Sequence, residues 1–300
     1  MQTAAGRSVI VLGTATPGGG FPLYGQHFAQ AIAEADATLA IETRNTKGST
    51  ENIPLLEAGQ LDIALVQGEV AYEALSGIGR PPADLRIVAA MYSTPGMFVV
   101  RADSPYRSIG DLRGKPVAFG ARGSGLVILN RYLLDGLGLD QQRDFQAVYL
   151  DKAGEGPAMV LDGRVAALWG GGAGWPGFAT VAHGPAGARF ITPNDDEKRA
   201  ILAKHSFLKL LVLPARSYPG QQDPISSVGS WSFVLARPTL DEGTVYRLAR
   251  ALHHAQDALG RRLEQARETT LANTIAAAPR GELIHRGVRR YLQEIGLQKP

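Results

Sequence analysis

The stretch SVIVLGTATPGGGF, residues 8–21, runs from an apolar, β-branched segment into a glycine- and hydroxyl-rich turn. An apolar run of that composition bounded by glycine reads as a buried strand. The residues that follow, Gly25 to Ala35, place Phe28 and Ile32 four apart among alanines, the spacing of a helix with one apolar face. Strand, glycine turn and helix in that order form half of a parallel β-α-β unit. The turn then offers backbone N–H groups and the positive end of the helix dipole above the strand end. The same grammar recurs at GARGSG, residues 120–125, between an apolar run at 116–119 and a helical pattern at 125–137.

Outward from these turns, strand patterns at 8–12, 38–43, 62–66 and 86–91 alternate with helical patterns at 24–35, 50–58 and 69–76. A second series begins with strands at 97–101, 116–119, 146–150 and 165–169, separated by helices near 108–112, 125–137 and 154–162. Such alternation predicts parallel sheets with crossover helices, and its restart predicts two lobes. Val99 to Pro105 reads as an extended crossing into the second lobe, with a return near Tyr218-Pro219-Gly220-Gln221. The expected division is therefore 1–103 with 223–300 as the first lobe and 104–222 as the second. From Asp241 onward the chain reads as helical, with Leu248, Leu252, Leu259 and Leu263 on 3.6-period faces that would pack on the first lobe.

The chain has 300 residues, 31 Lys and Arg against 28 Asp and Glu, and a formal net charge of +3. Positive and negative residues are interspersed, and a basic stripe with interleaved aromatics is missing, so a nucleic-acid partner is not expected. No apolar run reaches the roughly 18–20 residues of a membrane span. There is no cysteine, which removes thiolate metal sites and cysteine nucleophiles and suits an oxidising compartment. The start, MQTAAGRSV, has no apolar leader region, and the expectation is that a leader has been trimmed.

Enzyme signatures are poor. Gly172-Ala173-Gly174-Trp175-Pro176-Gly177 matches G-x-G-x-x-G, but Pro176 removes a donor where a dinucleotide turn needs one. Walker, zincin and nucleophile-elbow patterns are missing, and the six histidines are scattered. Neither a catalytic residue, a cofactor nor a metal is therefore expected. Binding signals are stronger. Thr14, Thr16, Gly19 and Gly20 form the first turn; Ser49 or Thr50 reads as the cap of a helix within the polar cluster 45–52; Gln67 and Glu69 lie just past a strand. Ser124 reads as a helix cap, Arg122 as a carboxylate clamp, and Trp169 and Trp175 flank a glycine loop as apolar walls. All lie at the carboxyl ends of the expected strands, where open α/β sheets bind ligands.

GTATPGGGF with Tyr24-Gly25, TKGSTEN with LLEAGQLDIALVQGE, SIGDLRGKPVAFGARGSG, MVLDGRVAALWGGGAGWP and LPARSYPGQQDPISSVG together resemble the TAXI family of periplasmic solute receptors, which serve TRAP-type transporters. The resemblance is colinear and covers nearly the whole chain. It implies an α/β fold of the two-lobed type II periplasmic binding-protein class, each lobe a mixed, mostly parallel sheet flanked by helices, with two crossings between them. It implies a periplasmic monomer that is not an enzyme, closes on a small organic carboxylate and delivers it to TRAP membrane subunits. Ligand contacts implied by the resemblance fall on Thr14, Thr16, Gly19, Phe21, Ser49, Asn52, Gln67, Glu69, Ser124, Gly125 and the loop at Gly174 and Trp175. The chain departs from the family at Gly20, where a hydroxyl is usual, at Phe21 and Pro22, which replace a tyrosine pair, at Glu69, which replaces an aspartate, and at Arg122. With fewer hydroxyls and more aromatic surface, a ligand with an apolar body is expected over an amino acid. The rival readings are a receptor for an ATP-driven importer of aromatic or sulfonated acids, and an enzyme on the same scaffold.

Overall fold

Strand β1 (Ser8–Gly13) begins the sheet that residues 8–21 foretell, in a computed structural model that describes residues 8–297. The opening residues 1–7, where a leader would be sought, lie outside the described residues. β1 runs parallel to β2 (Leu39–Arg44), with Ser8 opposite Leu39, and to β3 (Ile63–Val66), with Leu12 opposite Ile63. The crossover helices are α1 (Gly20–Ala35), α2 (Ser49–Glu57) and α3 (Gly68–Ser76). All four residues of β3 are buried, as the apolar run IALV requires when both faces of a parallel sheet are covered.

The chain divides into two compact units. The first comprises residues up to 15, 21–92 and 231 onward; the second comprises 16–20 and 93–230. Two long strands belong to both: β4 (Arg86–Arg101) and β10 (Ile225–Ala236). The sequence suggests separate strands at 86–91 and 97–101 with a crossing at 99–105, whereas β4 continues through Pro95-Gly96 and the units part at 92/93 and 230/231. A proline's fixed φ is compatible with extended backbone, and Gly96 serves packing here: a Cβ on it would lie 2.5 Å from the Trp169 ring. The dipeptide that usually signals a turn is thus spent on close contact inside a strand.

In the first unit the strand order is β2-β1-β3-β10-β4, and β10 is antiparallel to β3, with Phe233 opposite Val66. The C-terminal helices α8 (Glu242–Arg262), α9 (Leu271–Ala277) and α10 (Arg286–Glu294) cover this sheet. Leu248, Leu252, Leu259 and Leu263 of the sequence-derived stripe join Ile10, Leu12, Phe28, Ile32 and Val288 in one core. Each such side chain contributes about 1.5–3 kcal/mol on burial. That core fixes β1 and β3, and with them the turns at their ends.

In the second unit β5 (Pro116–Ala121) is parallel to β6 (Gln146–Leu150) and to β7 (Ala167–Gly171), while β7 and β8 (Ala188–Ile191) are antiparallel to β4. β9 (Lys209–Leu213) is antiparallel to the first half of β10. Helices α4 (Gly125–Gly136), α5 (Gly156–Leu161), α6 (Pro176–Ala182) and α7 (Asp195–Lys204) complete it. The helices expected at 108–112 and 154–162 shrink to a 3-10 turn at 110–112 and to a 3-10 turn followed by α5. The mixed α/β class is the one the sequence predicts.

Candidate functional site

In the first unit the polar residues gather where three strand-to-helix turns meet. Thr14 follows β1 and is almost fully buried, but its hydroxyl donates to the Arg44 carbonyl at 3.1 Å. The Thr14 carbonyl accepts from Thr46 Oγ1 at 3.1 Å and from Asn52 Nδ2 at 2.8 Å. Asn52 Nδ2 also donates to the Leu65 carbonyl at 2.8 Å, so both amide hydrogens of this buried side chain are spent on backbone. Asn52 and Thr14 are therefore brackets that tie the ends of β1 and β3 to α2. Phe21 is half-buried against the core of this unit.

The sequence suggests Ser49 or Thr50 as the cap of α2, and the structure corrects this. The helix begins at Ser49, its cap is Gly48 at φ 118°, and no side chain caps it. A residue with that φ is best filled by glycine, which has no Cβ to clash. Ser49 instead bridges two helix starts, since its Oγ accepts from Gln67 N at 3.0 Å and ties the start of α2 to the start of α3. Gln67 is the extended residue before α3, and Glu69 is fully buried in the first turn of that helix.

Gln67 carries the electrostatic signature of the first unit. Its Oε1 accepts from Ser232 Oγ at 3.4 Å, which turns the amide NH2 the other way. That Nε2 is buried and has no hydrogen-bond partner among the described residues. An unmet buried donor costs about 1–3 kcal/mol. It lies beside the starts of α2 and α3, whose first-turn N–H groups lack intrahelical acceptors. An acceptor oxygen, above all an anionic one, would satisfy a donor of this kind.

The second unit holds the remaining candidates in three places. Thr16 Oγ1 accepts from Ala153 N at 3.1 Å, and Gly154 N donates to the Pro17 carbonyl at 3.3 Å. Gly18, at φ 83°, is a required glycine: a Cβ there would meet Gly154 Cα at 2.5 Å. Gly19 N reaches back to the Thr16 carbonyl, and Gly20 opens α1. Ser124 does cap α4, accepting from Leu126 N at 3.2 Å, with Gly125 buried as the first helical residue. Arg122 is exposed and lies over the Tyr149 ring at 5.6 Å, in a surface groove of about 410 Å³ that Arg131 and Gln141 also line. Its guanidinium thus has an aromatic partner, which the sequence reading as a carboxylate clamp does not foresee.

The tryptophans differ from the expected walls. Trp169 is fully buried, donates from Nε1 to the Leu126 carbonyl at 2.8 Å and stacks edge-on against Phe98 at 4.8 Å. It is core, because β7 lies within the sheet and both faces of its residues are covered. Trp175 is 6 % exposed, its indole pressed on Gly170, Gly177 and Phe178, and it precedes α6 as the extended cap residue. Between them Gly172 and Gly174 hold φ of 85° and 63°. Two hydrogen-bond partners of the candidate residues escape a reading of the sequence: Ser232, whose hydroxyl donates to Gln67, and Tyr218, whose hydroxyl touches the 172–175 turn. Neither carries a local signal, since each acts from a distant strand or loop.

Among the described residues, no three His, Asp or Glu side chains form a group able to hold a metal ion, and no helix is long and apolar enough to cross a membrane.

The model of the NMT1-like family matches residues 12–296. The fold is also that of several solved structures. The alkanesulfonate-binding protein SsuA from Xanthomonas axonopodis pv. citri, bound to MOPS, superposes with a TM-score of 0.52 at 17 % identity, over 99 % of this chain and 96 % of that one. MatC from Rhodopseudomonas palustris, with bound malate, gives 0.60 at 15 % identity over 94 % and 97 %. The periplasmic binding protein BugD gives 0.60 at 12 % identity over 97 % and 99 %. At these identities the likeness is one of fold, that of type II periplasmic solute-binding proteins.

Proposed function

The chain belongs to the NMT1-like family, and from that premise we propose that it is an extracytoplasmic solute receptor that captures a small organic carboxylate and hands it to a TRAP-type membrane transporter. The observation that carries the proposal is the Gln67 amide: a buried, oriented donor without a hydrogen-bond partner among the described residues, beside two helix starts. A buried donor of this kind is uncommon in a folded core, and a ligand oxygen would complete it. Ser49 and the first-turn amides of α2 and α3 share in the anion. The carboxylate-with-apolar-body preference rests on the scarcity of hydroxyls at Gly18, Gly19, Gly20 and Phe21.

The reading as a non-enzymatic receptor is supported by how the hydroxyls are used. Thr14 is bonded to a carbonyl, Ser49 to the Gln67 amide and Ser124 to the Leu126 amide, which are structural engagements and not a nucleophile held by a base. Localisation outside the cytoplasm follows from the same family reading. A second reading, a receptor for an ATP-driven importer of sulfonated or aromatic acids, is favoured by the likeness to the MOPS-bound SsuA structure. A thermal-shift panel of mono- and dicarboxylates, alkanesulfonates and amino acids separates the two by ligand class. Stabilisation by none of the anions would sink both.

A further inference from the structure

We propose that strand β9 is a self-association edge, on which a second copy of this chain adds its own β9 in antiparallel register. The proposal concerns the second unit alone and holds whether or not the chain is a receptor. It departs from the monomer that the family resemblance implies.

Among the described residues β9 (Lys209–Leu213) pairs on one side only, with β10, from Leu213 opposite Ile225 to Lys209 opposite Gly229. The outer side of such a strand carries backbone N–H and C=O groups free to pair with another chain. Folded proteins guard these edges with proline, with charge inside the strand, with a bulge or with a covering segment. β9 lacks the first three: its sequence is KLLVL, its one charge stands at its first residue, and its register against β10 runs without a break. The outer strand of the first unit is built differently. β2 ends in exposed Glu42, Thr43 and Arg44, so charge sits on that edge.

The side chains of β9 point the same way as its backbone. Leu210 and Val212 are each 57 % exposed, more than any other large hydrophobic side chain among the described residues, and they stand two apart on one face of the strand. The alternate residues hold β9 down: Leu211 would touch a Cβ on Gly229 at 3.2 Å, and Leu213 is buried in the core of the second unit. One face is therefore anchored while the other shows an aliphatic pair to solvent.

Symmetry selects the occupant. An antiparallel pair centred on Leu211 sets Leu210 opposite Val212 of the second copy, and the two-fold axis makes the same contact twice. Lys209 then falls opposite Leu213 of the second copy, so the two ammonium groups lie at opposite ends of the pair and no like charges meet. A short strand pair buries less than the roughly 1,200 Å² at which stable interfaces begin, so the association is weak and depends on concentration.

Sedimentation equilibrium of the full chain from micromolar to submillimolar concentration tests this. The wild type should pass from monomer to dimer. Val212→Lys puts a charge inside the edge and should raise the dissociation constant by about tenfold or more, with the melting temperature of the dilute protein unmoved because the site is exposed. Ile78→Lys, at an exposed aliphatic residue of the first unit, should leave the dimer intact. The chain has no cysteine, so register can be read from disulfides: Leu210→Cys mixed with Val212→Cys should cross-link faster than either variant alone. A wild type that stays monomeric throughout overturns the proposal and leaves β9 to a strand of a different protein. A dimer that survives Val212→Lys overturns it in favour of another face, and faster cross-linking in Leu210→Cys alone overturns the antiparallel register.

Discussion

A carboxamide such as Gln67 has two ends, and which end faces a ligand decides what the ligand must be. Ser232 occupies the oxygen, so the nitrogen is left to meet an acceptor. Replacing Gln67 by Leu should therefore cost about 1.5–3 kcal/mol of binding, the worth of a hydrogen bond to a charged group, with little loss of stability in the free protein. Calorimetry against the best anion checks the first part and thermal unfolding the second. Arg122 gives the opposite expectation. Exposed and stacked over Tyr149, it should be replaceable by Ala with affinity changed less than twofold. A tenfold loss in the same titration would restore it to the site. A third residue controls stability with pH. His285 caps α10 by accepting from Gly287 N at 3.1 Å, and burial pushes its pKa below the ordinary imidazole value, with Arg286 and Arg86 acting in the same direction against Leu240's backbone and Glu242. The unfolded chain therefore binds a proton on this ring before the folded one does. Its stabilising contribution is complete above the ordinary value of 6.5 and is lost as pH falls below it through the folded pKa. Denaturation midpoints between pH 7.5 and 5 should fall less steeply in His285→Asn, which keeps the cap. Of these residues Gln67 was legible in the sequence, because it stands just past an apolar strand. Ser232 was not, because the partner of a carboxamide is set by tertiary placement.

At the scale of elements, legibility followed burial on two faces. β1 and β3 could be read from SVIVL and IALV, since a parallel strand covered on both sides needs an unbroken apolar run. α8 could be read because its leucines recur on one face above a core. β4 could not, as its Pro95-Gly96 is the signature of a turn and yet serves close packing on Trp169. β8 and β9 were missed for a different reason: both are short, and β9 leaves Leu210 and Val212 more than half exposed, so it shows no burial pattern to detect. The contact that makes β4 unreadable has an energetic counterpart in β10. A Cβ on Gly229 would fall 1.8 Å from the Thr94 carbonyl oxygen, and a backbone atom inside a sheet has nowhere to move. Gly229→Ala should destabilise by about 3 kcal/mol, at the upper end of overpacking costs, in chemical denaturation. A loss below about 0.5 kcal/mol would show that the strands relax apart.

For the molecule as a whole, β4 and β10 each contribute residues to both units, so unfolding of one unit is expected to reach the other along these continuous strands. Unfolding should be a single transition: in a Trp231→Phe variant, which removes the first unit's tryptophan, far-UV circular dichroism, weighted to α8 and α10 of the first unit, and fluorescence of Trp169 and Trp175 in the second should share one midpoint. Separate midpoints would mean that the shared strands do not couple them. The central claim, however, is that the donors of Gln67 and the neighbouring helix starts exist to hold an organic anion. The most direct measurement is a thermal-shift screen of the purified chain against malate, benzoate, alkanesulfonates, glutamate and arginine, with product analysis of each mixture. The expected result is that a carboxylate with an apolar body raises the melting temperature more than glutamate does and is recovered unchanged. Stabilisation by arginine alone, or turnover of the compound that binds, would contradict it.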